Sequence, residues 1–257
     1  MKRYYRIQHE GRSRHAVEEH GIWRLVEGDL FDSWTPGAEL PASGHALLPP
    51  VIPSKIVAVG LNYKDHAAEV RKPLPAEPLL FLKPSTAVIG PGASIAIPDG
   101  AGRVDHEAEM GVVIGKRAWH VAERDAVRYV LGITCVNDVT ARELQARDVQ
   151  YTRAKGFDTF APIGPCIAEV AYDRPEGLAV EGWVNGTRRQ SSSTRELIFS
   201  VPQLVAFITR VMTLLPGDII STGTPSGIGP LSAGDRVTIK VEGVGELTNP
   251  VAANSTA

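Results

Sequence analysis

Cysteine is almost missing from this chain: Cys135 and Cys166 are the only two in 257 residues. Two thiols without a CxxC pair build no disulfide framework. Both lie in apolar runs, GITCVND and IGPCIAE, so buried reduced thiols and a cytosolic setting are expected. Long hydrophobic runs are missing too. The best candidate, Leu204 to Leu215, is interrupted by Arg210 and closed by Pro216-Gly217, so no membrane span is expected. Residues 1–21, MKRYYRIQHEGRSRHAVEEHG, carry no apolar stretch ahead of a small-residue cleavage site and do not read as a signal peptide. Charge of one sign is equally scarce. With 27 basic and 29 acidic residues the formal net charge is −2. That balance gives no reason to expect nucleic acid or an anionic membrane as a partner.

What is present is a chain rich enough in apolar residues, 43% of the total, to bury a large core. Residues 1 to about 50 read as short strands (RYYRIQH, HGIWRLVEG, FDSWTPG) separated by Gly or Pro. A connector rich in Pro and small residues follows, PASGHALLPPVIP. The expected organisation is therefore a small N-terminal β unit, residues 1–52, and a main domain, residues 53–257. The main domain opens on a buried strand, Lys55 to Gly60, and further strands are expected at PLLFLKP, Ile95 to Ile97, Glu107 to Gly115 and Gly132 to Val136. Helical character is expected over Asn62 to Val70, Ala122 to Leu131 and Thr140 to Gln150. Another helix is expected to start at Ser200-Val-Pro-Gln203, a capping box with Pro at the first helical position. Strands outnumber helices and no βαβ rhythm appears, so the expected fold class is a strand-rich α+β domain rather than a doubly wound sheet.

The most informative segment is Val104-Asp-His-Glu107-Ala-Glu109-Met. Side chains two apart on a strand share a face, so Glu107 and Glu109 point together while the same face continues inward through Gly111 and Val113. Two like charges at a core edge repel unless a cation lies between them. A third acid, Asp138, ends the apolar strand GITCVND; as a lone residue it reads equally as a helix cap. Together the three form an all-oxygen set, which selects Mg²⁺, Mn²⁺ or Ca²⁺ over Zn²⁺. HEAEM is not HExxH, and the seven histidines are dispersed.

In Asn62-Tyr-Lys-Asp-His66-Ala-Ala-Glu69, a helical turn makes His66 and Glu69 i, i+3 neighbours. A carboxylate on an imidazole fixes its tautomer and raises its basicity, as a general base requires; an exposed polar helix is the plainer alternative. The flanking prolines and charges suggest a lid. Lys83 and Lys155 sit in apolar surroundings, and each needs an anionic partner, structural or substrate. The loop Ser221-Thr-Gly-Thr-Pro-Ser-Gly-Ile-Gly-Pro230 has the glycines and hydroxyls of an anion cradle, or of a tight structural turn. It is neither a P-loop nor a dinucleotide fingerprint, and no GxSxG elbow is present.

Seven segments in order, VGLNYKDHAAE, PLLFLKPSTAVIGPG, VDHEAEMGVVIGK, VNDVTARELQ, AKGFDTFAPIGP, VNGTRRQ…ST and GDIISTGTPSGIGP, resemble the fumarylacetoacetate hydrolase family in its bacterial single-module branch. That branch includes hydroxydiene-dioate isomerases, acylpyruvases and oxaloacetate decarboxylases. The likeness runs from about Lys55 to Val251. It implies a mixed β-roll or sandwich with a few flanking helices, a homodimer, and Mg²⁺ or Mn²⁺ held by Glu107, Glu109 and Asp138. It also implies catalytic roles for His66, Glu69 and Lys155, and substrate contacts from Lys83, Arg142, Gln145 and Thr224. The activity implied is C–C bond hydrolysis or keto–enol isomerisation of a small 2-oxo or enol carboxylate, as in aromatic-compound catabolism, with oxaloacetate-type decarboxylation as the alternative. A non-catalytic metal- or metabolite-binding protein is the competing reading from another class.

Overall fold

Alternation of apolar and polar residues makes strands the dominant regular element in the computed structural model, which describes residues 1–172 and 176–253. Among these, a long mixed sheet runs in the order Trp34–Leu40, Ile22–Gly28, Arg12–Glu19, Lys2–His9, Ala161–Ala168. It continues through Val130–Asn137, Ala108–Ile114, Ile219–Ser221, Ile56–Gly60 and Leu79–Lys83. The first four strands form an antiparallel meander that joins the rest where Arg3 and Tyr4 pair with Ala168 and Ile167. A five-stranded sheet, Thr187–Ser193, Ala179–Val184, Arg236–Val241, Gly245–Ala253 and Ile95–Ile97, packs against it. A small third sheet pairs Val104–His106 with Thr140–Ala141 on one side and Gly229–Pro230 on the other.

The strand Ala108–Ile114 is buried along its whole length because both its faces are covered. Ala108, Met110, Val112 and Ile114 point into the core between the two large sheets, with Val180, Ile239 and Leu247. Val113, on the opposite face, joins Tyr4, Val17 and Ile219. Burying each such aliphatic side chain contributes roughly 1.5–3 kcal/mol. Gly111 lies on the face shared by Glu109 and Val113, and a Cβ there would stand 2.5 Å from Val136 Cγ2. The close approach to the next strand therefore demands glycine.

The helix at Val201–Val211 forms where its capping signal lies: Ser200 donates its backbone N–H to Gln203 Oε1 at 2.8 Å, and Val201, Leu204, Val205 and Ile208 are buried along one stripe. Other helices are shorter than the spacing predicts. Over Ala122 to Leu131, only Glu123–Tyr129 coils, as 3₁₀, and Val130 opens the strand that pairs with Ile114. Sheet pairing takes those residues because Val127 is half exposed and only Ala126 of the turn is buried. Over Thr140 to Gln150, Thr140–Ala141 pairs with the strand Val104–His106, leaving Arg142–Arg147 as the helix and Thr152–Lys155 as a separate turn. Lys64–Glu69 is helical as the spacing predicts. Both cysteines are buried and free. No helix among the described residues is long and apolar enough to cross a membrane.

Candidate metal centre and its cavity

The chain leaves the small sheet at His106 and enters the long one at Ala108, so Glu107 sits at the changeover, two residues before Glu109. Asn137 Oδ1 accepts the Glu107 N–H at 3.0 Å, and Asp138 N–H donates to the Glu107 carbonyl at 3.0 Å. These two bonds tie the strand ends together. As a result one oxygen from each of Glu107, Glu109 and Asp138 lies within 4.8 Å of the others, and all three residues are buried.

Cations surround two of the three. Lys155 Nζ donates to Glu107 Oε2 at 2.8 Å and to Asp138 Oδ2 at 2.5 Å. Arg142 reaches Glu107 Oε1 at 2.5 Å and Asp105 Oδ2 at 2.8 Å. Lys83 reaches Asp138 Oδ1 at 2.5 Å and the Val139 carbonyl at 3.2 Å. Glu109 is different: its Oε2 accepts from Ser221 Oγ at 2.5 Å and from the Gly223 N–H at 2.9 Å, and no salt bridge reaches it among the described residues. Burial and the charges of Asp138 and Glu107 push its carboxyl up to about 8, with Lys155 and the Ser221 hydroxyl offsetting only part of this. Burial would also raise Glu107, but Lys155 and Arg142 outweigh it and hold that carboxyl well below the usual range. Burial lowers Lys83 despite Asp138, while Asp138 and Glu107 keep Lys155 raised against its own burial.

The donor set fits a hard divalent cation. It is all oxygen, Glu109 lacks a cationic partner and keeps Oε1 outside its two hydrogen bonds, and each carboxylate oxygen of Glu107 and Asp138 has a second lone-pair site beyond the one bond described.

The three carboxylates face a cavity of about 550 Å³ that is also lined by His66, Arg142, Gln145, Lys155 and Thr224. His66 Nδ1 lies 2.8 Å from Glu69 Oε2, and the other Glu69 oxygen accepts the Gly227 N–H at 2.9 Å. Gly227 has φ +95°, and a Cβ there would fall 2.1 Å from the Arg189 carbonyl, so only glycine turns the loop toward Glu69. The glycine-rich loop is thus an anion cradle for the protein's own carboxylates, Glu109 through Gly223 and Glu69 through Gly227.

Of the residues expected to touch substrate, Lys83 does not line the cavity; it is fully buried and directed at Asp138. Arg142 lines it with its guanidinium committed to Asp105, Glu107 and Gln145. The Thr224 hydroxyl donates to the Ala108 carbonyl at 3.0 Å and accepts from Gln190 Nε2 at 2.8 Å. Gln145 accepts from Arg142 through Oε1, and its amide nitrogen has no hydrogen-bond partner among the described residues.

Two residues went unread in the sequence. Asp105 is buried and bridges Arg103 and Arg142. The signal was there, since Asp105, Glu107 and Glu109 continue one alternation. Gln190 is fully buried and bonds Ala108 N, Thr224 Oγ1 and the Pro225 carbonyl, each at 2.8 Å. Gln190 closes the family segment VNGTRRQ, but neither spacing nor periodicity there indicates which atoms it meets.

Residues 55–252 match the family model described as fumarylacetoacetate (FAA) hydrolase C-terminal. A fumarylacetoacetate hydrolase domain-containing protein 2 homolog of Dictyostelium discoideum is 43% identical over 231 residues, 82% of this chain and 76% of that protein. The crystal structure of 2-hydroxyhepta-2,4-diene-1,7-dioate isomerase from Mycobacterium marinum superposes with TM-score 0.90 at 40% identity, covering 100% of both chains. Maleylpyruvate hydrolase from Sphingobium sp. SYK-6, solved with manganese(II) and pyruvate, superposes with TM-score 0.82 at 30% identity, covering 98% of this chain and 100% of that one.

Proposed function

This chain belongs to the fumarylacetoacetate hydrolase family, and on that premise we propose a Mg²⁺- or Mn²⁺-dependent enzyme that hydrolyses a C–C bond in, or isomerises, a small 2-oxo or enol carboxylate, as in the breakdown of aromatic compounds. The observation that carries this reading is a single cavity faced by three buried carboxylates, a buried lysine and an imidazole. Glu107, Glu109 and Asp138 hold the cation. The manganese and pyruvate bound to the Sphingobium hydrolase support that assignment. When bound, the cation supplies a Lewis acid able to polarise a 2-oxo oxygen.

The remaining chemistry belongs to side chains. Glu69 accepts the Nδ1 proton of His66 and leaves Nε2 as the base. For hydrolysis, Nε2 takes a proton from water as its oxygen bonds to the substrate carbonyl carbon. The C–C bond then breaks, its electron pair stays on the departing carbon, and His66 returns the proton there. For isomerisation the same nitrogen moves a proton from one substrate carbon to another. Lys155, already within reach of Glu107 and Asp138, offsets negative charge growing on the substrate oxygen. The free amide of Gln145 is suited to a substrate carboxylate. Arg142, Lys83 and Thr224 work from behind, holding Glu107, Asp138 and the Ala108 carbonyl in place. A homodimer in the cytoplasm completes the proposal. The edge strand Leu79–Lys83, with Leu79 and Leu82 about half exposed, and the buried free thiols support it.

The test is a parallel assay of acetylpyruvate, fumarylpyruvate, a hydroxydiene diacid and oxaloacetate with added Mg²⁺ or Mn²⁺. Enol absorbance should fall without CO₂ release, and EDTA should stop it. CO₂ release from oxaloacetate that survives His66→Ala would replace the proposal with decarboxylation. Tight metal binding with no turnover of any substrate would replace it with a binding protein.

A further inference from the structure

The basic groups that line the metal-facing cavity are not all occupied. Lys155 directs its ammonium at Glu107 and Asp138, and Arg142 directs its guanidinium at Asp105, Glu107 and Gln145. His66 is paired with Glu69. Lys72 lines the same cavity, is exposed, and makes no ion pair or side-chain hydrogen bond among the described residues. The acid nearest to it in sequence, Glu69, is already engaged: one oxygen lies against His66 and the other accepts the Gly227 N–H.

The backbone fixes where that free charge stands. Arg71, at φ +53°, takes the left-handed position that closes the helix Lys64–Glu69. Its N–H bonds the Ala68 carbonyl at 3.2 Å, and the Lys72 N–H reaches back to the Ala67 carbonyl at 3.0 Å. These are the paired bonds of a helix-closing turn, so Lys72 is anchored to the same short helix as His66. The cavity is therefore charged at two places. Three buried carboxylates and Lys155 mark its floor, and Lys72 marks its exposed rim. Much of the remaining lining is apolar, with Val70, Pro75, Leu79 and Ile228. The Phe81 ring stands 5.0 Å from Lys155 Nζ and meets the Tyr151 ring edge-on at 5.5 Å, so an apolar wall begins beside the acids.

We propose that Lys72 is a specificity-determining residue of this cavity, selecting substrates that carry a second carboxylate at the end remote from the 2-oxo group. The carbon spacer of such a substrate lies along the Phe81 wall, and its remote carboxylate meets Lys72. An acyl tail without charge leaves the lysine unanswered. The substrate class thus narrows from small 2-oxo or enol carboxylates in general to diacids with a carbon spacer. The inference rests on the function proposed above, because the 2-oxo end must lie at the three acids.

Two pairs of probes separate this inference from its premise. 2-Oxoadipate and 2-oxohexanoate share one carbon chain and differ only in a terminal carboxylate against a methyl; each is titrated into the Mg²⁺-loaded full chain by calorimetry. Fumarylpyruvate and its terminal carboxamide are compared by kcat/KM. The diacid of each pair should be favoured about fivefold, the upper range for a solvent-facing ion pair. Lys72→Arg should keep both ratios, Lys72→Gln should bring them near one, and Lys72→Glu should turn them toward the uncharged tail. A substitution that merely loosened the helix would move both members of a pair together and leave the ratios intact. No turnover of either ester-free pair member, with the calorimetric ratio present and lost in Lys72→Gln, would remove the enzymatic reading and uphold the role of Lys72. Ratios near one in the unaltered protein, or ratios unmoved by Lys72→Glu, would overturn the proposal even if turnover is fast. Failure of every probe to bind or react would overturn it together with its premise.

Discussion

Among the three acids of the metal-facing cavity, Glu109 is the one without a basic partner. Glu107 and Asp138 each accept from two cationic side chains, whereas Glu109 leans on a hydroxyl and a peptide N–H. Side-chain alternation reveals that Glu107 and Glu109 share a face, but says nothing about which charge is compensated. The family resemblance implies substrate contacts from Lys83, Arg142 and Thr224; Arg142 and Thr224 line the cavity, Lys83 does not, and the polar groups of all three bond Glu107, the Ala108 carbonyl and Asp138. The His66–Glu69 pair is local, three residues apart on one turn, so its hydrogen bond was legible from spacing. Replacing His66 by Ala, or Glu69 by Gln, should lower turnover by about 10²–10⁴. Mn²⁺ affinity measured by calorimetry should stay unchanged, because neither residue touches the acids. A matching loss of metal affinity would move the pair from proton transfer to site assembly.

Elements were legible where their signal is local and blurred where pairing partners compete. Ser200 to Gln203 carries its own start signal and becomes a helix. Residues 130–131 and 140–141 are drawn into sheets by partners far away in sequence, at Ile114 and at Val104 and Asp105, which the 3.6-residue period cannot anticipate. The central strand Ala108–Ile114 depends on Gly111. In Gly111→Ala the new methyl would meet Val136 Cγ2 at 2.5 Å, with Thr134 Cγ2 at 3.0 Å. The overpacking should cost about 1–3 kcal/mol and lower the thermal midpoint by about 2–10 °C, read by circular dichroism. A midpoint equal to that of the unaltered protein would mean the two strands can part locally without consequence.

At the scale of the whole molecule, the buried acids make stability a function of metal and pH together. Glu109 has its folded value pushed up to about 8 from an ordinary 4.5, so the folded metal-free protein holds a proton that the unfolded chain releases. Its contribution is complete at low pH and is lost as pH rises through that window. Burial lowers His15 and His106, whose effect has the opposite sign and ends near their ordinary value of 6.5. Above about pH 6.5 Glu109 lowers the stability of the metal-free protein as pH rises, by about 1.4 kcal/mol per unit at most, while Lys83, which burial lowers, acts in the opposite sense, so the Glu109 share is the difference in slope between the unaltered protein and Glu109→Gln. Saturating Mg²⁺ should flatten the slope, since Glu109 is then ionised throughout, and at a hundredfold excess over Kd should add about 2.7 kcal/mol. Urea titrations at pH 6.5, 7.2 and 8, with and without Mg²⁺, measure both. Equal metal-free slopes for Glu109→Gln and the unaltered protein would contradict the charge balance described for the site.

The chain alone determined the chemistry available. Three carboxylates at strand ends, an imidazole one helical turn from an acid, a run of glycines and hydroxyls, and strand-rich alternation are all properties of neighbours in sequence, and local geometry converts them directly into shared faces. Tertiary structure decided what each group is paired with. Sheet register set the Glu107 strand end beside Asp138, brought Lys83 and Lys155 to the same acid, and left His106 Nε2 without a hydrogen-bond partner among the described residues. Those outcomes depend on contacts between residues tens of positions apart, where the free energy of a charge is set by which opposite charge or dipole folding delivers to it.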